Sequence, residues 1–197
     1  MRDIVICRQA DKRVDEKTVC QLVAVLFEDH YLVDNLLHTF DRKATKIRRC
    51  DYKIYTEMSI NSGRVDIVLE FDDTAVFIEA KRTTISASEQ MSRYCKNTKY
   101  HDVIGIQLVL FDEQVKILKY LEPDLNIISV ESLLEQIDNS NTVAKVLRPI
   151  VKRATPPSYE EWLDNHLHQL RLKEQYSADK NIHKPEHPLI KFYNIED

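Results

Sequence analysis

Between Asp15 and Phe40, the apolar residues of DEKTVCQLVAVLFEDHYLVDNLLHTF recur at helical spacing. Val19, Leu22, Val23, Leu26 and Phe27 form one stripe, which predicts either one bent helix or two. Ahead of it, residues 2–8 suit a short strand or an ordered arm. Beyond residue 50 the period changes to two. Alternating runs at roughly 50–60, 64–71 and 74–82 predict three strands, separated by Asn61-Ser62 before Gly63 and by Asp72-Asp73, both tight hairpin signals. Ser86, with Glu89 three residues later, forms a capping box and predicts a helix start. DVIGIQLVLF (102–111) reads as a buried strand, and VKILKYL and NIISV as weaker strands. SVESLLEQI and TVAKVLRPIVKRA read as helices, the second disturbed at Pro149. The order α, β-meander, α, β, α predicts an α/β fold with a mixed central sheet flanked by helices. Thr155-Pro156-Pro157 is the clearest boundary, dividing a domain at 1–154 from a C-terminal extension at 155–197. In that extension SYEEWLDNHLHQLRLKEQY suits a helix, followed by a tail that is disordered or docked on a neighbour.

Composition narrows the chemistry. Gly63 and Gly105 are the two glycines, so neither a GxGxxG turn nor a P-loop can be built, and nucleotide hydrolysis by those routes is excluded. A net charge of −4 argues against a uniformly basic nucleic-acid coat, yet allows an acidic site beside a local basic face. RKATKIRR supplies Arg42, Lys43, Lys46, Arg48 and Arg49, and reads either as a solvated loop or as a contact for phosphates. Cys7, Cys20, Cys50 and Cys95 lack CxxC spacing, which favours reduced thiols over a zinc ribbon. No apolar run is long enough to cross a bilayer, so an intracellular, cytoplasmic protein without a membrane partner is expected.

The stretch GRVDIVLEFDDTAVFIEAKR (63–82) puts charges where a hairpin normally carries core residues. If Phe71 pairs with Thr74, Asp66 falls opposite Glu79, and Lys81 shares that face. If Ile60 pairs with Gly63, Asp66 also falls opposite Glu57. Three facing carboxylates repel one another unless a hard divalent cation such as Mg²⁺ joins them. The alternative is a solvated polar face, but Val68 and Phe77 lie on the same side. Ile67, Leu69, Val76 and Ile78 on the other side are expected to pack on helices.

These residues resemble the PD-(D/E)XK nuclease superfamily. Its restriction-endonuclease-like core runs αβββαβ, with an Asp on the second strand and E-x-K on the third. Here Asp66 precedes Glu79-Ala80-Lys81, with Val65 in place of the leading Pro. Gln90 and Tyr94, four apart on the next helix, resemble the QxxxY motif of RecB-like members. The likeness spans about residues 15–111. It implies that Asp66, Glu79 and the carbonyl of Ala80 hold one or two Mg²⁺ or Mn²⁺ ions. Lys81 would then orient or activate the attacking water and stabilise transition-state charge. Gln90 and Tyr94 would hold the scissile phosphate or neighbouring backbone, the alternative for Tyr94 being a core aromatic. A glutamate on the first helix often joins such sites, and Glu28 is the candidate, its alternative an exposed polar position. Glu57 would stand behind the ligands. Arg82 and Arg93 would join the 42–49 cations on nucleic acid.

The implied activity is metal-dependent hydrolysis of phosphodiesters, in DNA more than RNA. One alternative is an RNA endonuclease of the cap-snatching kind, in which His30 would select Mn²⁺. Another is a nucleic-acid-binding module that keeps the fold without cutting. The helix after Pro157 is a candidate for self-association into a homo-oligomer.

Overall fold

The computed structural model describes residues 16–40, 51–81 and 87–154. The first helical stretch resolves into two helices, α1 (Glu16–Leu26) and α2 (His30–Phe40). The break has a local cause. The Asp29 carboxylate accepts from Tyr31 N at 3.0 Å, supplying an acceptor to an N–H at the start of α2. Val19, Cys20, Val23, Ala24 and Leu26 on α1, and Leu32, Val33, Leu36 and Leu37 on α2, are buried.

A meander follows: β1 (Lys53–Ile60), β2 (Gly63–Glu70) and β3 (Thr74–Ala80). Both hairpins have the expected register, with Ile60 opposite Gly63 and Phe71 N donating to Thr74 O at 2.9 Å. Then come α3 (Ser88–Lys96), β4 (Asp102–Val109), α4 (Asp112–Leu121), β5 (Ile127–Ser129), α5 (Val130–Glu135) and α6 (Thr142–Arg153). The strands form one five-stranded sheet in the order β1-β2-β3-β4-β5. The first three are antiparallel, and β4 and β5 run parallel to β3. The molecule is therefore α/β, with a mixed sheet flanked by helices.

One expectation is corrected. VKILKYL is part of helix α4, not a strand. Parallel β4 and β5 need a crossover rather than a hairpin, and α4 supplies it. Its Val115 and Leu118 pack with Val109, Leu125 and Ile127, and Gln114 Oε1 accepts from Leu110 N and Phe111 N at 3.1 Å each, closing the helix start. The helix expected at TVAKVLRPIVKRA is α6, with Pro149 inside it. The capping Ser86 lies outside the described residues; α3 begins after Ala87, whose N–H donates to Gln107 Oε1 at 2.8 Å. Also outside them are the 2–8 arm, the basic 42–49 connector, Arg82, and the whole 155–197 extension with its proposed self-association helix.

One sheet face, with Ile67, Leu69, Val76 and Ile78, packs against α1, α2, α5 and α6. The other, with Val68, Ala75 and Phe77, packs against Met91 and Tyr94 of α3 and against Tyr100. Among the described residues no helix is long and apolar enough to cross a membrane.

Candidate active site

Strict alternation along β2 would put Val65 on the face of Ile67. Instead Val65 packs with Val68 and Phe77, while Ile67 packs on the opposite face. β1 has the matching irregularity: Met58 and Ile60 pack with Tyr55, whereas Ile54 goes to the other side. Pairing is in step on both flanks, with Met58 opposite Val65 and Thr56 opposite Ile67. The pleat therefore changes phase at the two residues between those pairs, Glu57 and Asp66. Glu57 absorbs the change with a left-handed φ of 55°, a strained conformation for a glutamate.

The distortion frees Asp66 to serve the neighbouring strand. The β2–β3 ladder ends at Ile67 and Ile78, and the Asp66 carboxylate accepts from Ala80 N at 2.9 Å. Beside it stands Glu79, only 4% exposed. Lys81 Nζ reaches Glu79 Oε1 at 2.8 Å, and Gln90 Nε2 donates to the same oxygen at 2.6 Å. Glu79 Oε2 is buried and has no hydrogen-bond partner. Burial pushes the Glu79 carboxyl above its usual range; the Lys81 hydrogen bond opposes the shift and the charge of Asp66 reinforces it. Asp66 is raised by the same burial, opposed by the Ala80 N–H and Lys81 and reinforced by Glu57. Two carboxylates thus carry negative charge that the described cations only partly offset. The thiol of Cys20 on α1 is pushed well above its usual range by burial and by the nearby acids, which keeps it protonated and unreactive.

These groups fit a hard divalent cation. A buried, orphaned carboxylate oxygen and two raised carboxyls are what such an ion would relieve. Mg²⁺ needs only one or two protein carboxylates, completing its shell with waters and substrate oxygens. Among the described residues no three His, Cys, Asp or Glu side chains form a ready-made cage, and that mode of binding does not require one.

Gln90 and Tyr94 sit one turn apart on α3, as their spacing predicts. Gln90 Nε2 also donates to Tyr94 Oη at 2.6 Å, and Tyr94 Oη donates to Arg64 O at 2.9 Å. Tyr94 is buried, with its ring over Gly63. A Cβ at position 63 would lie 2.9 Å from Tyr94 Cε1, and the glycine's φ is +150°, so only glycine suits this turn. Tyr94 has the contacts that its alternative as a core aromatic expects. Its hydroxyl is committed to Gln90 and Arg64, and its ring packs with the Val65–Phe77 cluster.

Glu28 and His30 are not among the residues grouped around Asp66 and Glu79. Both are exposed and lie at the α1–α2 break, where His30 packs edge-on against Tyr52 at 5.0 Å. α1 has 11 residues, about 16 Å of helix, and it is the opposite end that meets the acids. Glu16, Lys17, Cys20 and Gln21 from that end line a pocket of about 340 Å³ with Thr56, Glu57, Arg64 and Asp66. Glu16 is thus the first-helix acid that shares a pocket with Asp66. Its sequence signal was its place one turn ahead of the buried pair Val19 and Cys20, on the face that packs against the sheet. Arg93 is exposed on α3, its guanidinium 5.6 Å from the Tyr94 ring centre.

No protein-family model matches the chain, and no curated protein does. Among solved structures, the chain is similar to a repair endonuclease from Pyrococcus abyssi at 25% identity and a TM-score of 0.31, over 52% of this chain and 46% of that one. The matched part is thus less than half of the endonuclease's length. A protein of unknown function is similar at 15% identity and a TM-score of 0.38, over 70% of this chain and 79% of that one. The MspJI restriction endonuclease, solved with a 27-mer oligonucleotide, is similar at 15% identity and a TM-score of 0.29, over 83% and 43%.

Proposed function

We propose that the protein is a metal-dependent nuclease of PD-(D/E)XK type that hydrolyses DNA phosphodiester bonds. The observation that carries this reading is Glu79: a buried carboxylate with one oxygen held by Lys81 and Gln90, the other unpartnered, and Asp66 alongside. Folding alone gives no return for that arrangement, since an unsatisfied buried acid costs free energy. Asp66, Glu79 and the Ala80 carbonyl are the groups to hold Mg²⁺ or Mn²⁺. Such an ion, when bound, polarises the phosphoryl oxygen and makes a bound water more acidic.

The chain's own side chains have distinct tasks. Lys81, held by Glu79 at 2.8 Å, keeps an ammonium beside the reacting phosphate, where it orients the attacking water and offsets the charge that grows in the transition state. Gln90 fixes the rotamer of Glu79. Tyr94 fixes Gln90 and ties α3 to β2, as RecB-like QxxxY residues are expected to lie near E-x-K. DNA is preferred over RNA because His30, which pointed to the cap-snatching reading, opens α2 and packs on Tyr52 rather than lining the pocket with Asp66.

The test is digestion of circular single-stranded DNA, linear duplex DNA and RNA in Mg²⁺ or Mn²⁺. Wild type is expected to cut DNA. Asp66→Asn and Glu79→Gln are expected to lose at least ~100-fold in rate, the scale of an electrostatic catalytic group, while their circular dichroism stays native. Unchanged cleavage by either variant would remove these acids from the site.

A further inference from the structure

Resting on the nuclease reading, we propose that Lys17 and Arg64 grip a phosphate of the bound strand, and that Glu57 holds them in place until the strand arrives. Lys17 Nζ lies 3.3 Å and Arg64 Nη1 3.2 Å from the same oxygen, Glu57 Oε2. Their side chains are 55% and 62% exposed, whereas that of Glu57 is 29% exposed. Two cations thus reach from solvent onto one recessed carboxylate at the wall of a polar pocket of about 340 Å³, which Asp66 also lines. That volume is within the range of small-ligand sites.

Exposed ion pairs of this kind contribute about 0–1 kcal/mol, so exchanging one anion for another costs little. A backbone phosphodiester offers Arg64 two non-bridging oxygens for the same two-pronged contact as a carboxylate, and carries the same single negative charge. Glu57 is therefore a stand-in anion. Its left-handed φ of 55° points to a role, because a glutamate holds that conformation only where its surroundings impose it. Here its carboxylate meets both cations in the pocket that Asp66 also lines.

The grip is also wired to the reacting end. Arg64 O accepts from Tyr94 Oη, Tyr94 Oη accepts from Gln90 Nε2, and Gln90 Nε2 donates to Glu79. The residue that would seat the phosphate and the carboxylate that would hold the metal are thus joined through two side chains of α3.

The experiment is fluorescence anisotropy of a labelled DNA oligonucleotide in Mg²⁺ across a salt series. It uses the Lys81→Met background, so that the strand is held and not cut. Lys17→Gln and Arg64→Gln are each expected to weaken binding roughly tenfold and to flatten the slope of log affinity against log salt by about 0.7–0.9, one phosphate contact each. Glu57→Gln is expected to tighten binding. Lys116→Gln, an exposed lysine on α4 at the opposite edge of the sheet, controls for loss of one charge and should change little. If wild type cuts DNA but the three pocket variants bind like the background, the phosphate grip is overturned and the nuclease reading stands. If wild type cuts nothing and the pocket variants still shift affinity and slope as stated, the grip stands and the nuclease reading falls. Absence of any DNA binding overturns both.

Discussion

A carboxylate that is 4% exposed, with one oxygen unpartnered, costs stability unless something joins it. Asp66 carries a similar burden. For an acid whose folded pKa lies above its usual value, protonation favours the folded state. The contribution is full below the ordinary value of 3.8 for Asp66 and is lost as pH rises through the raised folded value. At pH 8 the charged form is therefore held at a cost. Asp66→Asn keeps an oxygen for Ala80 N and removes the charge. In chelator at pH 8 its Tm should exceed that of wild type, since facing like charges cost roughly 0.2–1 kcal/mol. The gap should narrow as the pH falls toward 4. Thermal unfolding at the two pH values checks this, and a variant less stable at both would show that Asp66 serves the fold. At Glu57 the strain itself is testable. Glu57→Gly relieves a left-handed residue at about 1–2 kcal/mol, less the entropy that glycine adds to the unfolded chain. The metal-free variant should be no less stable than wild type in chemical denaturation. A loss above about 1 kcal/mol would mean that the two ion pairs outweigh the strain.

At the scale of elements, α3 is a clip. Tyr94 fastens it to the β1–β2 turn and Gln90 to β3. Tyr94→Phe keeps the ring over Gly63 and strips the hydroxyl, removing the donor to Arg64 O and one of the two acceptors of Gln90 Nε2. A loss of about 1–3 kcal/mol in urea unfolding is expected, with cleavage reduced as well because Glu79 is less firmly held. Stability unchanged within error would show that the hydroxyl carries no weight. The opposite end of the same face has its own clamp. Glu70 accepts from Tyr100 Oη at 2.5 Å, Tyr55 Oη at 2.9 Å and Lys99 Nζ at 3.1 Å, joining β1 and β2 to the α3–β4 loop. The Tyr100 hydroxyl first, then Lys99 and Tyr55, hold its pKa down at about 2. Glu70 therefore contributes stability above its ordinary value of 4.5 and loses it as pH falls through about 2. Glu70→Gln should be less stable than wild type at pH 7, with the difference fading toward pH 2.

These elements were unequally legible in the sequence. The hairpin registers followed from two-residue turns, which leave little freedom. α4 was not legible, because Val115-Lys116-Ile117-Leu118 alternates as a strand does, and only the parallel course of β5 demands a helix there. The pleat break at Glu57 and Asp66 was equally hidden, since alternation assumes that the pleat never changes phase.

Across the whole molecule, the sheet has a closed end clamped through Glu70 and an open end where β2 parts from β3 around Asp66 and Glu79. The candidate site gathers at the open end, where α1, β1, β2, β3 and α3 all contribute side chains. The strand contributions were readable because they lie in one hairpin, where sequence distance translates directly into space. Glu16, twelve residues before Glu28, lines the pocket with Asp66, and it was hidden because the sequence shows that α1 is amphipathic but not which of its ends meets the acids. The most direct measurement of the central claim is single-turnover DNA cleavage in Mg²⁺ and in Mn²⁺ by wild type and Lys81→Met, with DNA affinity measured in parallel. Lys81→Met keeps the stem and removes the ammonium, so binding should persist while the rate falls by at least ~100-fold, the mark of a loss confined to the transition state. Equal rates for the two proteins would contradict the account, as would wild type that binds nucleic acid and cleaves none.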